Sequence, residues 1–344
     1  MTRPSALVPN ALGLTKSDYG GRPSTLCKGC GHNAVANQIV QVAFELGLAP
    51  DEIVKLSGIG CSSKSPAYFL GMSHGFNALH GRMPSMATGA LTANRGLRAI
   101  GVSGDGDTGS IGLGQFKHLM RRNVRMVYLV ENNGVYGLTK GQFSPTAEDG
   151  LTLKYAGTNP FPPVELCSEA LLSGCGFVAR GFAGDAKQLR ELLKAALAHR
   201  GTAVIDIVSP CVAFNNDDDS QHSYSYGRQN EVALQELGWI APRDDIVVDD
   251  HEPGETRVVE LHDGSRIALA KLEEGYDPSD RGTALARLQT AEARGEVLTG
   301  LIYIDDSRPS LPEAIDLTDT PLVDLPEDAL RPPPEALEAV LDRY

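Results

Sequence analysis

Apolar positions along the first 215 residues alternate between two periods. AVANQIVQVAFELG (34–47) carries them at helical spacing and closes on a glycine, a helix stop. IVKLSG (53–58), LRAIGVSG (97–104), VRMVYLVE (124–131) and TAVIDIVSPC (202–211) are short and mostly apolar, as strands covered on both faces are. Between them GLGQFKHLMRRN (112–123) and AKQLRELLKAALAHRG (186–201) return to the helical period. Interleaving of this kind predicts an α/β fold, a doubly wound and mostly parallel sheet with helices on both faces. Ligands of such sheets sit at the carboxyl ends of the strands.

The pattern changes near residue 215. NNDDDSQHSYSYGRQ (215–229) is polar and reads as a loop. RVVELHDGSRIALAKLE (257–273) predicts a hairpin, two alternating runs about an Asp-Gly turn. GTALARLQTAEARG (282–295) predicts a helix and VLTGLIYID (297–305) a strand. From Ser307 onward proline and acidic residues dominate, with a helical pattern only at 334–342. The expected organisation is an arm (1–20), an α/β domain (21–215), an acidic α+β arm (216–306) and a tail (307–344).

Charge follows the same division. The 344 residues carry a net charge of −13, but residues 1–215 hold 20 Lys+Arg against 14 Asp+Glu, and residues 216–344 hold 11 against 30. Net acidity argues against nonspecific nucleic-acid binding. No apolar run approaches the roughly 20 residues of a membrane span, and the amino terminus lacks the compact apolar run of a signal peptide. A cytoplasmic protein with reduced thiols is the expectation. All six cysteines lie in the first part, which turns attention to metal or cluster binding.

Two constellations carry chemistry. Gly104-Asp105-Gly106-Asp107 ends one strand and Asn132-Asn133 ends the next. A carboxylate, an amide oxygen and a backbone carbonyl from the turn 134–136 form a hard oxygen set suited to Mg²⁺. The glycines let backbone N–H groups reach a phosphate at a helix start. The second constellation is Cys27, Cys30, Cys61 and Cys211, on three loops at strand or helix ends. Four thiolates suit either a [4Fe–4S] cluster or structural zinc. Cys167 and Cys175 read as packing. Lys64 and Lys140 lie within a few residues of these motifs, where an ammonium could meet an anionic ligand.

GDGD followed by ENNGVYGLTKGQFSPT resembles the thiamine diphosphate motif of 2-oxoacid:ferredoxin oxidoreductase β subunits. The resemblance extends to CKGCGH (27–32), GIGCSSK (58–64), HGRMPSMATG (80–89) and SPC (209–211), covering residues 20–305 in order. It implies a thiamine diphosphate-binding sheet in which Asp105, Asn133 and the Val135 carbonyl hold Mg²⁺. Gly104, Gly106, Asp107, Gly137 and Leu138 then lie about the diphosphate. Ile59, Gly60, Cys61 and Ser62 form the loop under the cofactor, and His80 faces its pocket. Cys27, Cys30, Cys61 and Cys211 hold the cluster. Lys64 is implied for the distal carboxylate of a 2-oxoacid, and Lys140 for substrate or coenzyme A.

The implied activity is oxidative decarboxylation of 2-oxoglutarate with coenzyme A, electrons leaving through the cluster to ferredoxin, or the reverse reaction. Pyruvate or a branched-chain 2-oxoacid is the alternative substrate. A non-catalytic zinc- or iron–sulfur-binding assembly subunit is the alternative of another class. No residue matches the glutamate that activates the cofactor, which the family carries on its α subunit, so an αβ or (αβ)₂ assembly is expected.

Overall fold

The computed structural model describes residues 8–218, 220–240, 256–260, 266–271 and 276–343. Eight strands build the central sheet: β1 (Ile53–Ser57), β2 (His74–Asn77), β3 (Arg98–Gly104), β4 (Met126–Asn132), β5 (Phe177–Phe182), β6 (Thr202–Val208), β7 (Glu231–Ala233) and β8 (Val297–Ile304). Their order is β7-β8-β5-β6-β4-β3-β1-β2. Strands from β2 to β5 pair in parallel, while β8 runs antiparallel to β5 and carries β7 parallel to itself.

Helices α1 (Gly31–Leu46), α2 (Met83–Ala93), α3 (Leu113–Arg122), α4 (Leu166–Leu172), α5 (Ala186–Ala198), α6 (Tyr224–Asn230) and α7 (Arg281–Arg294) connect the strands. The period of two in each strand sorts its side chains between two cores. Ile100 and Val102 of β3, with Val127 and Leu129 of β4, pack on α1 and α5. Ala99 of β3, with Met126, Tyr128 and Val130 of β4, packs on α2, α3, α4 and α7. This is the doubly wound arrangement that the apolar runs predict.

The antiparallel strand is where the chain departs from its division by charge. Residues 276–304, expected within an acidic arm, return to the sheet, and Ala284, Leu288, Leu298 and Ile302 are buried in its second core. The charge split at 215 thus does not coincide with an edge of the sheet. The expected hairpin pairs antiparallel, Thr256–Glu260 against Arg266–Lys271, with Gln235–Ile240 on the other side of the latter. Its turn at 262–265 lies outside the described residues. Among the described residues no helix is long and apolar enough to cross a membrane.

Candidate functional site

The carboxyl ends of β6, β4, β3 and β1, four neighbours in the sheet, deliver the motif residues to one place. A cavity there is lined by Ile59, Gly60, Cys61 and Ser62 after β1, by Gly104–Asp107 after β3 and by Asn133, Val135, Tyr136 and Gly137 after β4. Asp105 is 2% exposed. Its Oδ2 accepts from Thr146 Oγ1 at 2.7 Å, Ser144 Oγ at 2.5 Å and the Gly134 N–H at 3.0 Å. Burial raises its pKa, and the Ser144 and Thr146 hydroxyls pull it back. Asn133 Oδ1 accepts from the Val135 N–H at 3.1 Å, closing a tight turn, and both residues line the cavity. An acid, an amide and a backbone carbonyl on one buried rim are donors of the kind Mg²⁺ selects, and a cation there would offset the burial of the carboxylate.

Glycine is required here by close approach. A Cβ on Gly106 would lie 2.3 Å from the Tyr136 ring, and one on Gly58 would lie 2.3 Å from Asp107 Oδ2. Tyr136 donates back to the Gly106 carbonyl at 2.9 Å, tying the two strand ends together. The Asp107 carboxylate accepts from the Gly81 N–H at 2.7 Å and from Ser103 Oγ at 2.9 Å. It therefore anchors the turn before α2 while lining the cavity.

The cysteines gather at the same edge. Cys30 caps the start of α1, whose Gly31 abuts Ser209 so closely that a Cβ would lie 2.5 Å from Ser209 Oγ. That contact sets Cys30 beside Cys211. Burial pushes the Cys30 thiol up to about 12, with Glu131, Cys211 and Cys61 adding by charge. Cys61 is raised by burial and then by Cys211, with Lys64 pulling it down. A tetrahedral zinc site with bonds of about 2.3 Å would hold its sulfurs about 3.8 Å apart. Among the described residues the three ligand atoms found within 4.8 Å of one another are those of Glu165, Cys167 and Asp206, not those of the four cysteines. Arg180 bridges Glu165 and Asp206, so that trio is an ion-pair cluster.

The same cavity is also lined by His32 and Glu131, a network that no motif announces. Glu131 is fully buried, and Ser65 Oγ donates to its two oxygens at 3.0 and 2.9 Å. His32 Nδ1 lies 2.6 Å from Ser209 Oγ and 3.6 Å from Glu131. Burial raises Glu131 well above its ordinary value and lowers His32 to about 4.

Residues 58–207 match the thiamine pyrophosphate enzyme family model for the C-terminal TPP binding domain. The chain is 44% identical to the 2-oxoacid:ferredoxin oxidoreductase subunit beta of Saccharolobus solfataricus over 55% of its own length and 63% of the relative's. It is 36% identical to the 2-oxoglutarate synthase subunit KorB of Methanocaldococcus jannaschii, over 56% of its own length and 71% of the relative's. A solved structure, 2-oxoglutarate:ferredoxin oxidoreductase from Magnetococcus marinus with 2-oxoglutarate, coenzyme A and succinyl-CoA bound, superposes with a TM-score of 0.72. That match has 31% identity and covers 88% of this chain and 89% of the other. The chain belongs to the 2-oxoacid:ferredoxin oxidoreductase β-subunit family. The matched part spans less than two thirds of the length of the Saccharolobus relative.

Against that family frame, some expected residues stand apart from the cavity. Leu138 is 52% exposed. His80 is exposed and its neighbour Gly81, not the ring, contacts Asp107. Lys64 is half-buried on the turn Ser62–Ala67. Lys140 is exposed in the left-handed region at φ 81°, on the rim of a second, larger cavity with Lys154, Tyr155 and Phe214. Cys167 and Cys175 are fully buried in the second core, the packing role expected of them. Ser144 and Thr146 lie inside the quoted SPT motif, which gave no sign that their hydroxyls would reach Asp105.

Proposed function

We propose that this chain is the β subunit of a 2-oxoacid:ferredoxin oxidoreductase, acting on 2-oxoglutarate with coenzyme A. One observation carries the reading. Gly137 lines the oxygen-rich cavity, and a Cβ on it would lie 3.5 Å from Cys211 Sγ and 3.8 Å from Cys61 Sγ. A diphosphate–metal cradle and a thiol cluster that share one loop suit a reaction in which electrons leave the cofactor as the substrate is cleaved.

In this reading Asp105, Asn133 and the Val135 carbonyl hold Mg²⁺. The Gly104–Asp107 turn and the loop Ile59–Ser62 cradle the diphosphate. When bound, thiamine diphosphate supplies the electron sink for loss of CO₂ from a 2-oxoacid. Cys27, Cys30, Cys61 and Cys211 hold a [4Fe–4S] cluster, a choice over zinc supported by the contact of Gly137, which lines the cradle, with two of the thiols. Lys64, close enough to Cys61 to lower its pKa, meets the distal carboxylate of 2-oxoglutarate. Lys140 binds substrate or a coenzyme A phosphate. His32 and Glu131 are buried lining residues of the same cavity.

The activating carboxylate comes from an α subunit. Glu131, a buried acid on the cavity wall, is committed to Ser65, and burial raises its pKa. Ferredoxin is the electron acceptor. The relative from Methanocaldococcus jannaschii, named 2-oxoglutarate synthase, and the bound 2-oxoglutarate of the Magnetococcus structure favour this substrate over pyruvate.

The test is anaerobic purification of the αβ complex followed by analysis of iron, sulfide, zinc and thiamine. About four irons and four sulfides per β chain are expected. Zinc without iron would overturn the electron-transfer role. Faster turnover of pyruvate than of 2-oxoglutarate would overturn the substrate assignment alone.

A further inference from the structure

The cradle and the cysteine set meet through one side chain. Asn215 is 1% exposed. Its backbone N–H donates to the Cys211 carbonyl at 3.0 Å, closing the short loop that presents the Cys211 thiol. Its side-chain Nδ2 donates to the Asn133 carbonyl at 2.9 Å. The other end of the carboxamide, Oδ1, is buried without a hydrogen-bond partner. The contact to Asn133 is thus what orients this side chain.

The segment it grips reaches both sites. Gly134, next to Asn133, donates its N–H to Asp105 Oδ2. It adopts φ +72°, and a Cβ there would lie 2.9 Å from Asn215 Nδ2. Further along, Gly137 sits beside the Cys61 and Cys211 sulfurs, and a Cβ on Gly141 would lie 2.8 Å from the Phe214 ring. Residues 133–141 are held at both ends by 214–215 and touch two thiols in between. A shift of either loop must move the other, because packed interiors do not deform freely.

We propose that Asn215 is a positioning residue that couples the two sites. It keeps the Asn133 loop and the Cys211 loop in one register, so that a Mg²⁺–diphosphate in the cradle is felt by the group the cysteines hold. The coupling is reciprocal, as any linkage between binding equilibria must be. The inference rests on the function proposed above but concerns a residue that neither the cradle nor the cysteine set includes. A merely structural role would predict parallel loss of both groups, whereas coupling predicts that each stays while their communication is lost.

The experiment uses the anaerobic αβ complex, freed of thiamine diphosphate and Mg²⁺ by chelation. Both are then titrated back while the paramagnetic signal and midpoint potential of the reduced cluster are followed. In the wild type, cofactor binding is expected to shift both. In Asn215→Leu the iron and sulfide content should stay, the shift should vanish, and the cofactor Kd should rise about tenfold, the scale of one buried hydrogen bond lost. Asn215→Asp keeps the shape and sets a carboxylate oxygen against the Asn133 carbonyl, so it should behave likewise even where the Leu variant fails to fold.

A folded variant that keeps the wild-type shift and Kd overturns the coupling. So does loss of iron from both variants, or an iron-loaded wild type whose signal ignores the cofactor. A wild type without iron overturns the underlying function, and the coupling with it.

Discussion

At the scale of residues, charge and burial decide what each group can do. Asp105 is an acid that burial would neutralise, surrounded by three donors that favour its ionised form. A divalent cation at the proposed site would complete that balance. Asp105→Ala is expected to abolish Mg²⁺-dependent binding of thiamine diphosphate, measured by calorimetry on the αβ complex; unchanged affinity would remove Asp105 from the metal site. Lys64→Ala should lower kcat/KM for 2-oxoglutarate by about tenfold or more, as loss of an ion pair to substrate does, with cofactor affinity retained. Equal losses for every 2-oxoacid would assign Lys64 a general role instead.

The pair His222–Glu148, 3.1 Å apart, gives a pH signature. Burial pushes Glu148 up, but the charge and hydrogen bond of His222 outweigh it and hold the carboxyl at about 2. Burial lowers His222, yet Glu148 leaves it raised above its ordinary value. Glu148 stabilises the fold above its unfolded value of 4.5, and that contribution is lost as pH falls from there toward 2. His222 stabilises fully below its unfolded value of 6.5, and its share is lost as pH rises through the raised value. Glu148→Gln should therefore lower the melting temperature most between pH 4.5 and 6.5 and least at pH 9. A loss that is uniform across pH would show that packing, not charge, carries the pair.

At the scale of elements, ends matter more than interiors. α3 stops at Asn123, which takes the left-handed conformation with φ 52°. Its side chain accepts from the Thr202 N–H at the start of β6 and donates to the carbonyls of Arg308 and Pro309. One residue thus ends a helix, sets the start of a strand and fastens the chain beyond β8. Asn123→Ala combines a left-handed backbone penalty with lost buried hydrogen bonds, together about 2–4 kcal/mol. Denaturant unfolding would measure it, and a cost below about 0.5 kcal/mol would show that the junction relaxes without its amide. At the opposite ends of the same strands the carboxyl termini of β1, β3, β4 and β6 carry the site, the placement open parallel sheets favour.

At the scale of the molecule, the acidic last third has two structural characters. Residues 276–304 complete the sheet and its second core. Arg308 and Leu311 then dock on the α3 end, and Arg95 pairs with Asp319 and the Leu317 carbonyl. Beyond that point the short helices bury no residue. Truncation after Thr320 is expected to change the melting temperature by less than about 2 °C, whereas truncation before Ser307 should lower it by more than about 5 °C. Residues 321–344 are proposed to contact the partner subunit, and mass measurement of the truncated chain mixed with its α subunit tests that role.

The apolar periods alone identified the parallel strands β1, β3, β4 and β6 and the helices α1, α3, α5 and α7, because a strand buried on both faces and an amphipathic helix each leave a local imprint. Motif chemistry likewise marked Asp105, Asn133 and the four cysteines, since glycine turns and paired thiols are local patterns too. What no local pattern holds is contact between distant segments. The strand Phe177–Phe182 had no helical or alternating run to announce it, and the antiparallel return of Val297–Ile304 beside it depends on pairing across more than a hundred residues. The buried contact of His32 with Glu131, the hydroxyls of Ser144 and Thr146 on Asp105, and Asn215 between two loops are equally long-range. Their roles come from burial and from neighbours supplied by other strands. The sequence by itself determined which groups could do the chemistry; only the tertiary structure decided which of them meet, because a hydrogen bond or an ion pair exists between positions in space rather than along a chain.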